Sequence, residues 1–145
     1  MGVVEKVDVK PLKTLLDAGY IPIISSIGIN SNLAEKLDSY LLNVNADIAA
    51  GEIAAALKAE KLIFLTDIAG ICDKEGKVIS KLNATEAENL ITSKVAVSGM
   101  IPKIRAGIRA LDSAAEVRIV DGRRPHALLE EIRRSEGGTT INNLK

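Results

Sequence analysis

The chain has 145 residues, 47% of them hydrophobic but only 2% aromatic, so its core must consist mainly of aliphatic side chains. Nineteen basic residues balance nineteen acidic ones, which argues against a general nucleic-acid binder because no excess positive charge is available to neutralise phosphates. The single cysteine, Cys72, cannot form an internal disulfide, and no apolar run approaches the ~18 residues of a membrane span. We therefore expect one cytoplasmic domain over residues 1–145, with neither nucleic acid nor a membrane among its partners.

The first part of the chain is predicted to contain two helices and a short strand. Leu12, Leu15 and Leu16 share one helical face, and Gly19 supplies the stop. In chain order we expect a helix over 9–18, a strand over 20–25, a turn over 26–32, a short helix or part of a hairpin over 33–40, and a helix over 46–57. Pro22 suits an edge position or a strand beginning.

The rest of the chain alternates strands with helices. The best strand covers residues 61–66, which are almost continuously apolar, as in a central parallel strand. Asn83, with Glu86 three residues later, resembles a capping box, and Pro102 fits the first turn of a later helix. The other predictions are a hairpin turn at 73–76 before 77–79, helices from 83 to about 91, over 102–114 and over 125–134, and strands over 116–120 and 139–141.

Buried apolar strands that alternate with helices predict an α/β fold, a three-layer αβα sandwich with a mainly parallel central sheet. We expect residues 61–66 to form an interior strand of that sheet. In such folds ligands bind beyond the carboxyl ends of the strands. The turns at 66–70 and 121–124 follow two predicted strands and therefore mark candidate binding positions.

Three polar residues, Asn43, Asn45 and Asp47, stand at alternate positions where a strand-like segment feeds the alanine-rich helix. Alternate residues of an extended backbone point to the same side, and a helix N-terminus suits anions. The alternative is helix capping, because Asn and Asp are favoured at N-caps. One cap accounts for one residue and not for three, so the spacing slightly favours a binding site.

Lys103 stands just inside the helix that is predicted to begin at Pro102. A cation is poorly placed there, because the N-terminal end of the helix dipole favours anions. Such a local conflict is a reason to suspect function. The alternative is an ordinary exposed lysine, which the residue by itself favours.

Other candidates carry weaker signals. Asp67 and Gly70 match an ordinary turn after a strand, and His126, the only histidine, is by itself best interpreted as a surface residue in the first turn of a helix. The glycines after Glu136 are typical of a flexible turn. One cysteine and one histidine are too few for a zinc site, and we expect no resident metal.

Several segments together resemble the acetylglutamate kinases of the amino acid kinase family. They are Asn43-Val-Asn45-Ala-Asp47, Leu65-Thr66-Asp67-Ile-Ala-Gly70-Ile71, Ser98-Gly99-Met100-Ile-Pro-Lys103, and the stretches 120–129 and 135–139. They occur in the family's order and extend the resemblance over nearly the whole chain from about residue 7. Residues 31–40 depart from the family, in which a short hairpin with Gly-Gln is usual.

The resemblance implies a role for each of these positions. Asp47 would organise the catalytic lysines, and Lys103 would contact the nucleotide phosphates and balance the charge on the transferring phosphoryl group. Asn43 and Asn45 would contact the acetylated substrate. The nucleotide-binding residues would be Thr66, Asp67, Gly70, Ser98, Gly99, Met100 and Lys103. An arginine effector site, as in arginine-inhibited members, would comprise His126, Glu136 and Gly138.

In these terms the chain corresponds to the C-terminal, nucleotide-binding half of an enzyme that uses ATP to phosphorylate the side-chain carboxylate of N-acetyl-L-glutamate in arginine biosynthesis. ATP would bind with Mg²⁺ held mainly by the nucleotide, and N-acetyl-L-glutamate would bind only if the other half were supplied. We therefore expect the isolated chain to bind Mg-ATP weakly and to turn over negligibly. The alternative is a non-catalytic α/β module that senses a nucleotide or an amino acid such as arginine.

Two spatial relationships are also predicted. Asp47 and Lys103 should converge at one site, although 56 positions separate them (103 − 47). Apolar surface should be exposed in the N-terminal part and should support a homo-oligomer. The residues expected on that surface are Leu12, Leu16, Ile21 and Ile23.

Overall fold

A computed structural model describes residues 2–30, 41–96, 99–114 and 116–143. In these ranges the helices are α1 (Lys10–Asp17), α2 (Ala46–Leu57), α3 (Ala84–Thr92), α4 (Ile101–Ala110) and α5 (Ala127–Arg134). The strands are β1 (Ile27–Ile29), β2 (Leu41–Asn43), β3 (Lys61–Thr66), β4 (Lys81–Asn83), β5 (Glu116–Asp121) and β6 (Thr139–Asn142). None of the helices in this part of the chain is long and apolar enough to cross a membrane.

Two helices begin where the sequence supplies side-chain caps. The Oδ1 atom of Asn45 accepts a hydrogen bond from the Ile48 amide at 3.1 Å and starts α2, which ends at Lys58 in a left-handed conformation. At α3 the predicted capping box is present: Asn83 and Glu86 each accept a bond from the other's backbone amide, at 2.9 and 2.8 Å. The predictions of these two helices are confirmed.

The central sheet has four strands in the order β3-β5-β6-β4. The pairs β3–β5 and β4–β6 are parallel, and β5–β6 is antiparallel. The predicted mainly parallel sheet is therefore confirmed, with one antiparallel pair. The expected interior position of residues 61–66 is wrong, because β3 is the end strand of this order and its Leu65 is 47% exposed.

Helices cover both faces of this sheet, as the alternation of side chains along β5 indicates. Val117 points to α4, where it lies against Gly107. The next residue, Arg118, points to the opposite face and bonds Glu131 of α5. Since α2 and α3 both contact α4, one face carries α2, α3 and α4 and the other carries α5. The predicted three-layer αβα sandwich is confirmed.

The core lies between the sheet and α4 and is aliphatic, as the composition predicts. Ile104, Val117, Ile119 and Ile141 are almost completely buried there, and Phe64 is the aromatic member of the cluster. Burying each such side chain contributes about 1.5–3 kcal/mol. This packing holds α4, which carries Lys103 in its first turn, against the sheet.

The N-terminal part differs from the prediction. Residues 20–25 lie outside the strands, and Ile21 and Ile23 are 89% and 97% exposed. A strand lies instead in the predicted turn, where β1 pairs antiparallel with β2. A strand requires a partner, which β1 has and which residues 20–25 do not have among the described residues. The segment 33–40 lies outside the described residues.

Some element boundaries also differ. The helix predicted over 125–134 begins at Ala127, because His126 adopts a left-handed φ of 60°. The helix predicted over 102–114 covers Ile101–Ala110, and residues 111–113 form turns. Strand β4 was not predicted. The hairpin turn is confirmed by the 2.9 Å bond from the Asp73 amide to the Lys77 carbonyl.

Candidate functional site

The candidate site is built on α2 and α4, which lie side by side. Their contacts join Asp47 to Lys103, Gly51 to Ala106, and Glu52 to Arg109. The nearly constant offset between the partners means that the two helices run parallel. The approach requires glycine at position 51, where a Cβ atom would lie 2.6 Å from the Ala106 carbonyl oxygen. The two helix N-termini, each with a partial positive charge, therefore lie together.

Asp47 and Lys103 meet at these N-termini. The Lys103 Nζ atom donates to Asp47 Oδ2 at 3.1 Å, and each side chain is 22% exposed. The predicted convergence of the two residues is confirmed. The Asp47 carboxylate also offsets the unfavourable interaction of the Lys103 cation with the N-terminal end of the α4 dipole.

The ends of β3 and β5 lie at the same end of the fold as this ion pair. The 12 residues of α2 span roughly 18 Å, and the six residues of β3 span roughly 20 Å. Since only residues 58–60 connect them, α2 runs back along β3, and Asp47 comes level with the carboxyl end of the strand. In the same way, α4 runs antiparallel to β5, so its N-terminus lies near the carboxyl end of that strand. The two helix N-termini and the two strand ends therefore face one region.

Asn43 and Asn45 do not continue the alternation that the sequence suggests. Asn43 ends β2 and its side chain is exposed. Asn45 is the N-cap of α2, so the capping interpretation accounts for its Oδ1 atom. Asp47 already lies in the first helical turn, so the three side chains do not share one extended backbone. Contact of the two asparagines with a substrate stays a prediction.

The turn that follows β3 lies beside the turn that follows β5. Thr66 is opposite Asp121 in the strand register, and the Gly122 amide donates to the Thr66 carbonyl at 2.7 Å. The hydrogen bond from the Arg123 side chain to Asp121 is the main cause that raises the pKa of the Arg123 guanidinium, and the charge of Asp67, which is exposed, adds a smaller effect. The structure therefore brings together the two turns that the sequence marks as binding positions.

Asp121 is held ionised by its neighbour. Arg123 donates from its backbone amide at 3.0 Å and from its guanidinium at 2.9 and 2.8 Å to the Asp121 carboxylate. The side-chain bond is the main cause, and the backbone bond the next, that lower the pKa of Asp121 from 3.8 to about 2. This pair fixes the shape of the turn at the end of β5.

The segment before α4 is described in part. Met100 is the N-cap residue of α4 and is 7% exposed, whereas Gly99 is exposed in the preceding turn. Ser98 lies outside the described residues. Met100 therefore anchors the start of the helix that carries Lys103, and contact of these residues with a nucleotide stays a prediction.

The predicted effector residues line two neighbouring clefts. His126 and Glu136 line one cleft of about 430 Å³ together with Arg124 and with residues of α5 that include Arg133. Glu136 and Gly138 line a second cleft of about 440 Å³, which Ala69 from the turn after β3 also lines. Glu136 therefore lines both clefts, whereas His126 lines the first and Gly138 lines the second.

The buried charges Arg118 and Glu131 were not identified from the sequence. Arg118 Nε donates to Glu131 Oε1 at 2.7 Å, and its terminal nitrogens bond Glu131 Oε2, Thr140 Oγ1 and the carbonyls of Ser135 and Gly137. An arginine within the apolar run of β5 was the available signal, because a buried charge must have a partner. The pair fixes the turn that carries Glu136.

The arrangement at Lys103 suits an anion. An ammonium group and two helix N-termini attract phosphate oxygens, and Asp47 orients the lysine. In the described part of the chain, no group of three or more His, Cys, Asp or Glu side chains is placed to hold a metal ion.

Comparison with known proteins places this geometry in a family. Residues 1–121 match the amino acid kinase family. Acetylglutamate kinases of Kosmotoga olearia and Aquifex aeolicus are 45% and 44% identical over 100% and 97% of this chain. The chain spans about half the length of these curated relatives, 50% and 46% respectively.

Solved structures give the same picture. The crystal structure of N-acetylglutamate synthase from Neisseria gonorrhoeae, complexed with coenzyme A and L-arginine, is similar with a TM-score of 0.83 and 30% identity. The match covers 98% of this chain and 32% of that protein. Isopentenyl phosphate kinase of T. acidophilum has a TM-score of 0.65 over 97% of this chain and 56% of that protein, and at 19% identity it shows the fold alone.

Proposed function

This chain belongs to the amino acid kinase family, and on that premise we propose that it forms the ATP-binding portion of an acetylglutamate kinase. Such an enzyme transfers the terminal phosphoryl group of ATP to the side-chain carboxylate of N-acetyl-L-glutamate, a step of arginine biosynthesis. The relatives of that name, at 38–45% identity, support this substrate pair.

The observation that carries the proposal is the ion pair of Asp47 and Lys103 between two helix N-termini. Phosphoryl transfer depends almost entirely on positioning and on electrostatic stabilisation of the phosphate oxygens. Lys103 would contact the phosphates and balance the charge on the transferring group. Asp47 would keep the ammonium group oriented before and after transfer.

The remaining nucleotide contacts would come from the turns around this pair. Thr66, Asp67 and Gly70 would face the nucleotide from the end of β3, and Gly99 and Met100 from the start of α4. Ser98 would be a further nucleotide-binding residue. Mg²⁺ would enter with ATP and be held mainly by its phosphates. Asn43 and Asn45 would contact N-acetyl-L-glutamate.

The 145-residue chain by itself should bind Mg-ATP weakly and turn over N-acetyl-L-glutamate negligibly. It spans about half the length of its curated relatives, and phosphoryl transfer requires groups on several sides of the transferring phosphate. Robust ADP formation from ATP and N-acetyl-L-glutamate by the purified chain would contradict this part of the proposal.

Calorimetric titration with Mg-ATP and with adenosine tests the nucleotide site. Replacing Lys103→Ala should raise the Kd for Mg-ATP about tenfold or more, since a hydrogen bond to a charged group contributes about 1.5–3 kcal/mol. The Kd for adenosine should not change, because it has no phosphate. The matched control is Lys13→Ala on exposed α1, which should leave both constants unchanged. Equal losses for both ligands would refute the role of Lys103.

A second candidate function is binding of L-arginine as an effector. His126 and Glu136 line one cleft, and the related Neisseria gonorrhoeae synthase was crystallised with L-arginine. The Glu136 carboxylate would receive the cationic ligand. In this alternative the chain acts as a sensor module without catalysis of its own.

Titration with L-arginine and with L-citrulline separates this candidate from the first. L-citrulline has the same shape without the positive charge, so it should bind much more weakly. Glu136→Gln should weaken L-arginine about tenfold, in line with the loss of a charge-assisted bond, and should leave Mg-ATP unaffected. Equal binding of both amino acids would exclude recognition by Glu136.

A further inference from the structure

Thr139, the first residue of β6, joins three separate segments through one hydroxyl group. Its Oγ1 atom accepts a hydrogen bond from the Ile71 amide at 2.8 Å and donates to the Ile79 carbonyl at 2.7 Å. Thr139 and Ile71 are both 0% exposed. The hydroxyl therefore uses its donor and an acceptor position in a site that water does not reach.

The backbone around this hydroxyl is packed tightly. Gly70 has a φ of +155°, and a Cβ atom there would lie 2.8 Å from Thr139 Oγ1. On the other side, a Cβ atom at Gly138 would overlap the Ile119 carbonyl oxygen of β5. The segment 138–139 is thus held between β5 and the end of the Thr66–Gly70 turn. Neither side leaves room for another group to replace the hydrogen bonds of the Thr139 hydroxyl.

The hydrogen bonds of Thr139 fix where the Thr66–Gly70 turn ends. Ile71 directly follows Gly70, and the Ile79 amide bonds the Ile71 carbonyl at 2.8 Å. Thr139 in turn is paired with Ile119 across the antiparallel β5–β6 ladder. The turn therefore has one end in β3 and the other attached to β6 by this side chain.

We propose that Thr139 is a positioning residue for nucleotide binding, which holds the Thr66–Gly70 turn in its binding conformation through the Ile71 amide. This inference rests on the proposed nucleotide-binding function of that turn. Thr139 acts through the backbone and does not itself touch the nucleotide. Loss of the hydroxyl reduces the fraction of molecules with a competent turn, and the apparent Kd rises as that fraction falls.

The test compares Thr139→Val with Thr139→Ser by calorimetric titration with Mg-ATP. Valine has the shape of threonine without the hydroxyl and leaves the Ile71 amide and the Ile79 carbonyl unpaired, so the Kd should rise roughly three- to tenfold. Serine keeps the hydroxyl and should bind within about twofold of the unsubstituted chain. The matched control is Thr14→Val on exposed α1, whose hydroxyl bonds only the Lys10 carbonyl, and its Kd should not change.

Amide hydrogen exchange of the unsubstituted chain provides a second measurement that does not depend on the stability of a variant. Coupling is reciprocal, so if the Thr139 bond strengthens nucleotide binding, the nucleotide must strengthen the bond by the same factor. Saturating Mg-ATP should therefore slow exchange of the Ile71 amide roughly three- to tenfold. The Ala18 amide, which bonds the Thr14 carbonyl in α1, is the control and should be unaffected.

The outcomes separate this inference from the proposed function. If the unsubstituted chain does not bind Mg-ATP, or Lys103→Ala binds as well as it does, the nucleotide site itself is refuted. If Lys103→Ala weakens binding but Thr139→Val does not, the nucleotide site stands and Thr139 has no positioning role. Unchanged Ile71 exchange in the presence of bound Mg-ATP would overturn the inference in the same way.

Discussion

At the scale of single residues, the position of Lys103 becomes intelligible only beside Asp47. A lysine in the first turn of a helix is unfavourable by itself, but the carboxylate at the N-terminus of α2 lies 3.1 Å away. A bound phosphate would compete with this carboxylate for the same ammonium group. In the proposed function, Asp47 would therefore hold the Lys103 ammonium group at the site until a phosphate binds.

Replacing Asp47→Asn should separate the contribution of this carboxylate to stability from its effect on Mg-ATP binding. The unfolding free energy should fall by only about 1 kcal/mol, because a partly exposed ion pair and a charge at a helix end each contribute little. Mg-ATP should bind as tightly as before or more tightly, since the competing carboxylate is gone, in contrast to Lys103→Ala. Calorimetry and urea unfolding measure both quantities. A loss of affinity as large as that of Lys103→Ala would refute the competition.

Asp121 gives a prediction for pH. Its pKa is lowered to about 2, chiefly by the hydrogen bond from the Arg123 side chain. A carboxyl whose pKa is lower in the folded state stabilises the fold above its unfolded pKa, so this contribution is present above about pH 4 and is lost as the pH falls towards 2. The difference in urea midpoint between the unsubstituted chain and Asp121→Asn should shrink over this window. A difference that stays constant down to the lowest pH would contradict the pairing.

At the scale of elements, the contact of α2 with α4 determines the geometry of the site. Gly51 lets the two helices approach closely, and the Asp47–Lys103 pair lies one turn nearer their N-termini. Any change that separates the helices should also lengthen this ion pair. The close packing of α2 against α4 and the geometry of the Asp47–Lys103 ion pair therefore depend on each other.

Replacing Gly51→Ala should destabilise the fold by about 1–3 kcal/mol, the usual range for overpacking. At an exposed helix position the same change would stabilise by roughly 1 kcal/mol, so the sign of the effect identifies the cause. Urea unfolding measures it, and Mg-ATP affinity should fall in parallel. A stabilised variant would mean that the helices do not need glycine here.

At the scale of the whole molecule, apolar side chains are exposed on the N-terminal part. The expected exposure is confirmed for Leu16, Ile21 and Ile23, whereas Leu12 is partly buried. Such a patch on a protein is typical of an interface. The homo-oligomer itself stays a prediction.

Sedimentation over a range of concentrations tests this prediction. The unsubstituted chain should associate at micromolar concentration, and the double variant Ile21→Ser with Ile23→Ser should shift towards monomer, because both side chains would be buried in the contact. Ile132→Ser, at an isoleucine of α5 that is 63% exposed, is the control and should associate like the unsubstituted chain. A monomer at all concentrations would show that this surface is not an interface between copies.

Much of the local structure was determined by the sequence alone, because its causes lie within a few residues. The cap at Asn83, the alanine-rich run of α2 and the apolar runs of β3 and β5 predict their elements without tertiary information. The short strands β1 and β4 were missed, since three residues have too little periodicity to reveal a strand. The convergence of Asp47 with Lys103 was predicted because both residues begin helices and because both match catalytic positions of the family that the sequence resembles.

Only the tertiary structure decided the order of the strands and the partners of the buried polar groups. Periodicity indicates which face of a strand is buried but not which strand lies beside it, so it could not place β3 at the end of the sheet or β6 between β5 and β4. The partners of Arg118 and Thr139 are also distant in the chain. Hydrogen bonds between such groups form only when the layers pack, and the sequence by itself shows no more than that a buried polar group needs a partner.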